Sequence, residues 1–405
     1  MTPHSDPSRI AAPDTTAGPD EALRRGLGIG RRRFLSTCTA VAGAAIAAPV
    51  LGASPAFAQD QDRSPGHGGH GHGGHGHGGD VLVPADRRGI ILYTVRDAIG
   101  RDPLSTDLPS GFREVFGQLA RYGYRQVEFA GYGQHANAPG GAALDSVEGA
   151  RLLRRWLDDY GLRAQGNHGF IPPSWPLTTA DLDTFKKHLE IANILGLDHM
   201  GTGGDPTNSS YRADWDVAAD KWNALGRIAR REGVKLYTHN HDAAYGFLLD
   251  GGPLDDLGRP TRSSGIRKLE YFLKVTDPKY VWLEMDIFWA HVAQYKFHTY
   301  TAHDGSVREK VFDPAALVAC NNKRYPLFHA KDGTVNTTNG QGYDMVPFGT
   351  GVIDYATFFS RVGDRNYHNP MVEQDNAPSS TDPAQSLRHA RTGYDNLAAL
   401  RKRRR

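Results

Sequence analysis

The sequence predicts an α/β fold: a (β/α)8 TIM barrel over residues 88–400, preceded by a signal peptide and a Gly/His-rich linker. After Arg88, short apolar runs alternate with longer segments of helical periodicity, which is typical of a parallel sheet wrapped by helices. Eight such units can be counted, and about 310 residues is an ordinary length for this fold. The 405-residue chain is 39% hydrophobic and 23% charged, so it can bury a full core.

The first 58 residues are predicted to be a twin-arginine signal peptide. Arg31, Arg32 and Arg33 precede a modestly apolar run over residues 41–51, and a small-x-small cleavage site ends at Ala58. The run is far shorter than the ~20 residues that span a bilayer, so no stable membrane span is expected. The sequence therefore predicts a periplasmic or extracellular protein whose partner during export is the twin-arginine translocase.

Residues 59–87 are predicted to form a flexible linker, because glycines separate the five histidines of this segment. Two interpretations of those histidines stay open, a plain spacer and a collector of divalent metal. Residues 401–405 form a basic tail, interpreted either as a solubilising helix end or as a contact for anionic polymer or lipid. Because the chain has 47 basic and 45 acidic residues, we expect no dedicated nucleic-acid binding.

The barrel elements are predicted in strict alternation. The candidate strands are residues 89–93, 126–129, 162–166, 199–203, 235–241, 280–286, 325–329 and 371–373. The candidate helices are residues 111–122, 150–160, 180–195, 215–232, 266–275, 314–321, 354–362 and 384–400. Cys320, in the sixth of these helices, is expected to be a small buried residue.

Polar residues recur where the predicted strands end, which is where TIM barrels hold their active sites. Asp286, His329 and Glu373 end strands six, seven and eight, and together they offer oxygen and nitrogen ligands for a divalent cation. His239 and His241 end strand five, and the two-residue period of a strand places them on one face. The sequence therefore predicts a metal site at this rim.

Seven segments together resemble the sugar phosphate isomerase/epimerase family, whose members have the xylose-isomerase-like TIM barrel. They are residues 91–97 (ILYTVRD), 127–132 (VEFAGY), 239–242 (HNHD), 284–289 (EMDIFW), 328–332 (FHAKD), 349–354 (GTGVID) and 372–375 (VEQD). The resemblance implies that Asp286, His329 and Glu373 bind the metal. It also implies that Lys331 and His168 contact a hydroxyl or oxyanion of a sugar.

One departure from the family pattern concerns the segment after His241. Many relatives have an aromatic residue, a Glu and another aromatic residue after this motif, whereas this chain has Ala243, Ala244 and Tyr245. The role of the missing carboxylate then passes to His241 or His239, or is lost. We expect His241 as a further metal ligand and either histidine as a catalytic acid.

Some of the remaining candidate residues have one expected role, and others have two possible roles. Glu373 is expected to be the base and Lys331 a further catalytic residue. Glu128 either faces the substrate or anchors the barrel interior, and Trp289 either stacks on a sugar or packs a loop against the rim. Glu284 is expected to anchor hydrogen bonds inside the barrel.

The predicted function is that of an exported, metal-dependent sugar isomerase or epimerase that acts through an enediolate. The small-molecule partner is a carbohydrate or polyol, and the cofactor is a divalent cation: Mn²⁺, Mg²⁺, Co²⁺ or Zn²⁺. Two alternatives stay open. One is a lyase or hydrolase-like enzyme on keto-glycosides, and the other is a non-catalytic sugar- or metal-binding envelope protein.

Overall fold

Eight parallel strands form a nearly closed barrel at the centre of the structure, a computed structural model that describes residues 81–403. The strands are β1 (Gly89–Ile91), β2 (Gln126–Phe129), β3 (Arg163–Asn167), β4 (His199–Met200), β5 (Lys235–Thr238), β8 (Val281–Asp286), β11 (Leu327–Ala330) and β14 (Asn369–Val372). Their order around the sheet is β3-β2-β1-β14-β11-β8-β5-β4. A parallel bridge between His168 and Gly201 links β3 to β4 and brings the two edges together. The predicted (β/α)8 fold is confirmed.

Ten α-helices surround the barrel in the described part of the chain. They are α1 (Arg96–Ile99), α2 (Gly111–Tyr122), α3 (Val147–Asp159), α4 (Thr179–Leu195), α5 (Arg212–Arg231), α6 (Lys268–Val275), α7 (Ile287–Lys296), α8 (Pro314–Cys320), α9 (Tyr355–Val362) and α10 (Gln385–Ala399). Within residues 81–403, none of the helices combines the length and the apolar character needed to cross a membrane.

Three antiparallel hairpins extend loops of the barrel. Their strands are β6 (Gly251–Leu254) with β7 (Pro260–Arg262), β9 (Thr299–Thr301) with β10 (Val307–Glu309), and β12 (Asp332–Val335) with β13 (Tyr343–Val346). The first follows β5, the second lies between β8 and β11, and the third begins directly after Lys331 at the end of β11. The alternation of barrel elements did not predict these hairpins.

The barrel wall separates two kinds of interior. Its outer face packs against the helices through residues such as Leu283 and Phe328. Its inner face carries a small apolar cluster of Ile91, Tyr237, Leu327 and Met371. Ile91 is paired in register with Glu128, and Leu327 with Glu284, so polar side chains share the inner face with this cluster. Side chains of residues paired in register point to the same face of the sheet. The inside of the barrel can therefore hold a polar site next to this apolar cluster.

The ends of the described chain differ in two respects from the sequence predictions. Leu82 and Val83 are buried in the main core, so packing starts within the segment assigned to the linker. Val81 pairs with Arg401, where the basic tail begins.

Cys320 is exposed as the last residue of α8, and the expectation that it is buried was wrong. The predicted signal peptide and the histidine-rich part of the linker lie outside the described residues.

Candidate functional site

The carboxyl ends of three adjacent strands bring together the predicted metal ligands. Asp286 is the last residue of β8 and pairs in register with His329 of β11, while Glu373 directly follows β14. We call Asp286, His329 and Glu373 the outer set. One ligand atom from each lies within 4.8 Å of the other two, and the exposed fractions of the three residues are 0%, 1% and 3%. The sequence thus identified three side chains that the fold brings together.

Lys331 lies beside the outer set and is almost completely buried. Its Nζ is 2.8 Å from Oδ2 of Asp286, 3.1 Å from Oε2 of Glu373 and 3.1 Å from Oδ1 of Asp375. It also lies 5.9 Å from the centre of the Trp289 ring. A single ammonium group therefore holds three carboxylates at the rim.

Deeper in the barrel, four further donor atoms face one another. We call His168, His239, Glu284 and His329 the inner set, and its ligand atoms also lie within 4.8 Å of one another. Oε2 of Glu284 is 3.1 Å from Nδ1 of His239, 3.2 Å from Nε2 of His329 and 3.5 Å from Nε2 of His168. Glu284 thus lies at the centre of three imidazoles instead of only anchoring the barrel wall.

Glu128 and Tyr237 complete the floor of this polar region. Oε2 of Glu128 is 3.0 Å from Nε2 of His329, and the Tyr237 hydroxyl donates a short hydrogen bond to Oε1 of the same carboxylate. The Tyr237 hydroxyl is also 3.0 Å from the backbone oxygen of Asn167. Glu128 is fully buried, so it supports His329 from below and does not lie at the open rim.

The surroundings shift the pKa values of the ionisable groups in both sets. Burial raises the pKa of Glu373, but the positive charges of His329 and Lys331 outweigh burial, and its pKa lies below the usual value. Burial lowers the pKa of His168 to about 4, and it lowers the pKa of His239 further below the usual value. At neutral pH Glu373 is therefore ionised and both imidazoles are neutral, so each has a lone pair to offer.

Three other pKa shifts arise from crowded carboxylates. Burial and the neighbouring Glu128 raise the pKa of Glu284 well above its usual value. Burial lowers the pKa of His329, but Glu284, Glu373 and Glu128 overcome this effect and raise it overall. The same balance, with Asp286 as the strongest partner, raises the pKa of Lys331. Positive charge is strongly favoured between these carboxylates.

His241 and Trp289 lie beside the sets and not in them. Among the described residues, neither group of clustered donor atoms includes His241, whereas His239 lies in the inner set and places Nε2 3.6 Å from Oδ2 of Asp286. The half-buried His241 ring is 5.2 Å from the His239 ring and 5.6 Å from that of Trp289. Trp289 belongs to α7, a helix that begins immediately after Asp286, and not to the predicted loop.

The donor atoms of the outer set fit a divalent cation. Asp286 Oδ2, His329 Nδ1 and Glu373 Oε2 are buried and face one another and the Lys331 ammonium. Such atoms are costly to bury unless a ligand or charge satisfies them. Two carboxylates and one imidazole form a donor set that divalent metals of the Mn²⁺ to Zn²⁺ series accept.

Sequence reasoning did not identify Asp375 and Tyr237 as site residues. Asp375 lies two residues beyond Glu373, and this spacing was the available signal for a second carboxylate on the same side. No sequence signal marked Tyr237, because its hydroxyl reaches Glu128 across the barrel from β5 to β2. Contacts across a barrel depend on strand tilt, which one sequence does not reveal.

Comparison with known proteins agrees with this fold. The family model described as xylose isomerase-like TIM barrel matches residues 116–394. A sugar phosphate isomerase/epimerase from Parabacteroides distasonis is 20% identical with a TM-score of 0.55, and the match covers 77% of this chain and 96% of that chain. A second protein so described from the same organism is 17% identical with a TM-score of 0.51, over 76% of this chain and 96% of that one.

A third similar structure is a fusion of a xylose isomerase-like TIM barrel with 4-hydroxyphenylpyruvate dioxygenase. It is 15% identical with a TM-score of 0.51, and the match covers 76% of this chain and 42% of that chain. No curated protein sequence matches the chain. At these identities the solved structures show a shared fold, and the family model covers more than half of the chain. The chain therefore belongs to the family of xylose isomerase-like TIM barrels.

Proposed function

We propose that this protein is a metal-dependent isomerase or epimerase that moves a proton at a carbon next to the carbonyl of an unphosphorylated sugar. One observation carries the proposal: buried ligand atoms of Asp286, His329 and Glu373 lie within 4.8 Å of one another beside the Lys331 ammonium at the carboxyl end of the barrel. A divalent cation held by the outer set supplies a Lewis acid for the oxygens of the sugar.

Glu373 is the proposed base. Its carboxylate is kept ionised by its surroundings. Because Oε2 faces His329 and Lys331, the other oxygen, Oε1, is the proposed proton acceptor. Glu373 takes a proton from the carbon next to the carbonyl, and the electron pair of that C–H bond forms an enediolate. In isomerisation Glu373 returns the proton to the neighbouring carbon, and the hydroxyl proton passes to the former carbonyl oxygen. In epimerisation one of the strand-five histidines would protonate the other face of the same carbon, and Glu373 would release its proton to solvent.

Lys331 and the two strand-five histidines are the proposed partners of the base. The Lys331 ammonium can donate a hydrogen bond to an enediolate oxygen as negative charge develops there. His239 is neutral and closed in by the barrel, whereas the half-buried His241 is nearer the rim and is better placed to exchange protons with a substrate. Trp289 offers an aromatic face beside His241 for the apolar side of a sugar ring.

The charge around Lys331 favours a substrate without phosphate. Asp286, Glu373 and Asp375 already share this ammonium. The ammonium is therefore already paired and is not a free cation for a phosphate. We therefore propose a neutral sugar or polyol derivative as the substrate class.

A lyase acting on oxidised (keto) glycosides is the second candidate, and Ala244 favours it. Ala244 is 1% exposed within the short 3-10 turn Asp242–Tyr245, at the position where relatives supply a second carboxylate. With one carboxylate base and histidine acids, the site suits proton abstraction followed by loss of a leaving group at the next carbon. That reaction shares the enediolate with isomerisation.

The experiment measures solvent-proton exchange in D₂O with free ketoses and keto-glycosides as probes. We expect Glu373→Gln to lower exchange by ~10²- to 10⁴-fold, because the amide keeps the shape but not the basicity, with a smaller change in sugar affinity. The exposed Glu309→Gln is the matched control. Full exchange in Glu373→Gln would contradict the proposed base. Binding of sugars without any exchange in the wild-type protein would favour a sugar-binding protein.

A further inference from the structure

The inner set is a second place where ligand atoms converge, separate from the rim where the proposed reaction takes place. Its members come from different parts of the barrel wall: His168 follows β3, His239 follows β5, Glu284 lies in β8 and His329 lies in β11. His239, Glu284 and His329 are at most 2% exposed, and His168 is half-buried. The fold thus places three imidazoles and one carboxylate around one point.

The distances from Glu284 to the three imidazoles match those between ligands of a metal coordination sphere. Four ligands about 2.1 Å from a tetrahedral metal are separated by about 3.4 Å from one another. The distances from Oε2 of Glu284 to the three imidazole nitrogens are 3.1, 3.2 and 3.5 Å. The other oxygen of this carboxylate, Oε1, is buried without a hydrogen-bond partner.

The two nitrogens of His329 point to different sets. Nδ1 contacts Glu373 of the outer set and lies 4.0 Å from Oδ2 of Asp286. Nε2 lies 3.2 Å from Glu284 of the inner set and 3.0 Å from Glu128. The imidazole ring therefore lies between two groups of ligand atoms, and a different nitrogen of the ring faces each group.

We propose that the inner set, His168 Nε2, His239 Nδ1, Glu284 Oε2 and His329 Nε2, binds a second divalent cation, with His329 bridging the two metal positions. Three imidazole nitrogens and one carboxylate select a borderline cation such as Zn²⁺, Co²⁺ or Fe²⁺ over Mg²⁺ or Ca²⁺. In the bridging form His329 would be an imidazolate, so the protons held by both ring nitrogens would pass to solvent as the two cations bind. Glu128 lies on the same side as Nε2 and supports the ring.

The test counts bound Co²⁺ after removal of metal by a chelator. All proteins compared carry serine in place of the five histidines of residues 67–77, because a segment of this composition can collect metal of its own. We expect two Co²⁺ per chain in this background and one in each of His168→Gln, which removes an inner ligand, and Asp286→Asn, which removes an outer ligand. A bound Co²⁺ that survives Asp286→Asn should show the intense visible absorption of tetrahedral cobalt.

The outcomes separate this inference from the proposed reaction. If His168→Gln still binds two Co²⁺, the inner site is refuted and the outer site is unaffected. The same holds if the background protein binds one Co²⁺ and only Asp286→Asn removes it. Loss of metal from His168→Gln alone would support the inner site and contradict the outer one. A zinc-soaked crystal of the wild-type chain gives an answer that does not depend on variants folding: an anomalous peak among the four donor atoms is expected, and its absence at an occupied outer set refutes the proposal.

Discussion

His329 is the residue through which the two groups of ligand atoms in the barrel are joined. Its position was predictable, because it ends a strand of a parallel barrel together with Asp286 and Glu373. Its surroundings were not, since the carboxylates that face Nε2 come from β2 and β8, 201 and 45 residues away in sequence. A sequence pattern gives the end of the barrel on which a side chain lies, whereas the neighbours across the barrel follow from strand tilt and register.

The histidine His199 in β4 tests how the barrel wall responds to acid. It is 2% exposed, and its Nδ1 is 3.1 Å from the backbone oxygen of Gln165. Burial lowers the pKa of His199 to about 4, and the positive charge of Lys235 lowers it as well. Three weaker effects raise it: the charge of Asp198, the hydrogen bond to Gln165 and the charge of Glu128. The ring is therefore neutral in the folded protein across most of the physiological range.

We predict that His199→Asn reduces the loss of stability on acidification. In the unfolded chain histidine has a pKa of ~6.5, so between pH 6.5 and 4 the unfolded state takes up a proton that the folded state does not. Stability is therefore lost as pH falls, by about 2 kcal/mol at pH 5 for this residue. Asn keeps a donor for Gln165 but does not titrate. Urea unfolding at pH 7.5 and pH 5, with a chelator present, measures the difference, and the exposed His298→Asn is the control. An unchanged pH dependence in His199→Asn would contradict this prediction.

At the scale of elements, long periodic segments were predicted well and short apolar ones were not. Helix α2 begins and ends where the sequence predicted, because its twelve residues have a clear hydrophobic period. Helix α7 was missed, since its ten residues are mostly apolar and show no polar face. Its start is fixed by Asp286, whose Oδ1 accepts the backbone N–H of Trp289 at 3.0 Å. A residue interpreted only as a metal ligand therefore also caps a helix.

Helix α5 depends on a glycine for its close approach to the chain before β8. A Cβ added at Gly226 would lie 2.1 Å from the backbone oxygen of Tyr280. In a free helix, replacing Gly by Ala stabilises by up to ~1 kcal/mol. Here backbone atoms must move apart, so we predict that Gly226→Ala destabilises the protein by about 1–3 kcal/mol. Thermal or urea unfolding measures this, with Val217→Ala, half exposed on the same helix, as the control. Equal or greater stability of Gly226→Ala would show that the helix is not held this closely.

At the scale of the whole molecule, the alternation of eight units was enough to predict the barrel. How the barrel closes and which hairpins extend its loops could be seen only in the structure. The edges β3 and β4 meet through single pairs such as His168 with Gly201, so His168 joins the barrel wall and the inner set at once. The hairpins after β5, β8 and β11 lie in loops whose polar sequences carry weak strand signals. The sequence therefore predicts the order of the repeating units better than it predicts the structure of the loops at the rim.

Export is the property of the whole chain that we propose from residues 1–58 alone. Arg31 and Arg32 head the predicted signal, and a lysine pair keeps the charge but loses the planar, multiply donating guanidinium groups. We predict that Arg31→Lys combined with Arg32→Lys leaves the precursor in the cytoplasm, while Arg24→Lys combined with Arg25→Lys, outside the motif, does not. Cell fractionation with amino-terminal sequencing measures the outcome, and the exported form should begin at Gln59. Mature protein outside the cytoplasm at normal yield in the Arg31 and Arg32 variant would contradict the twin-arginine route.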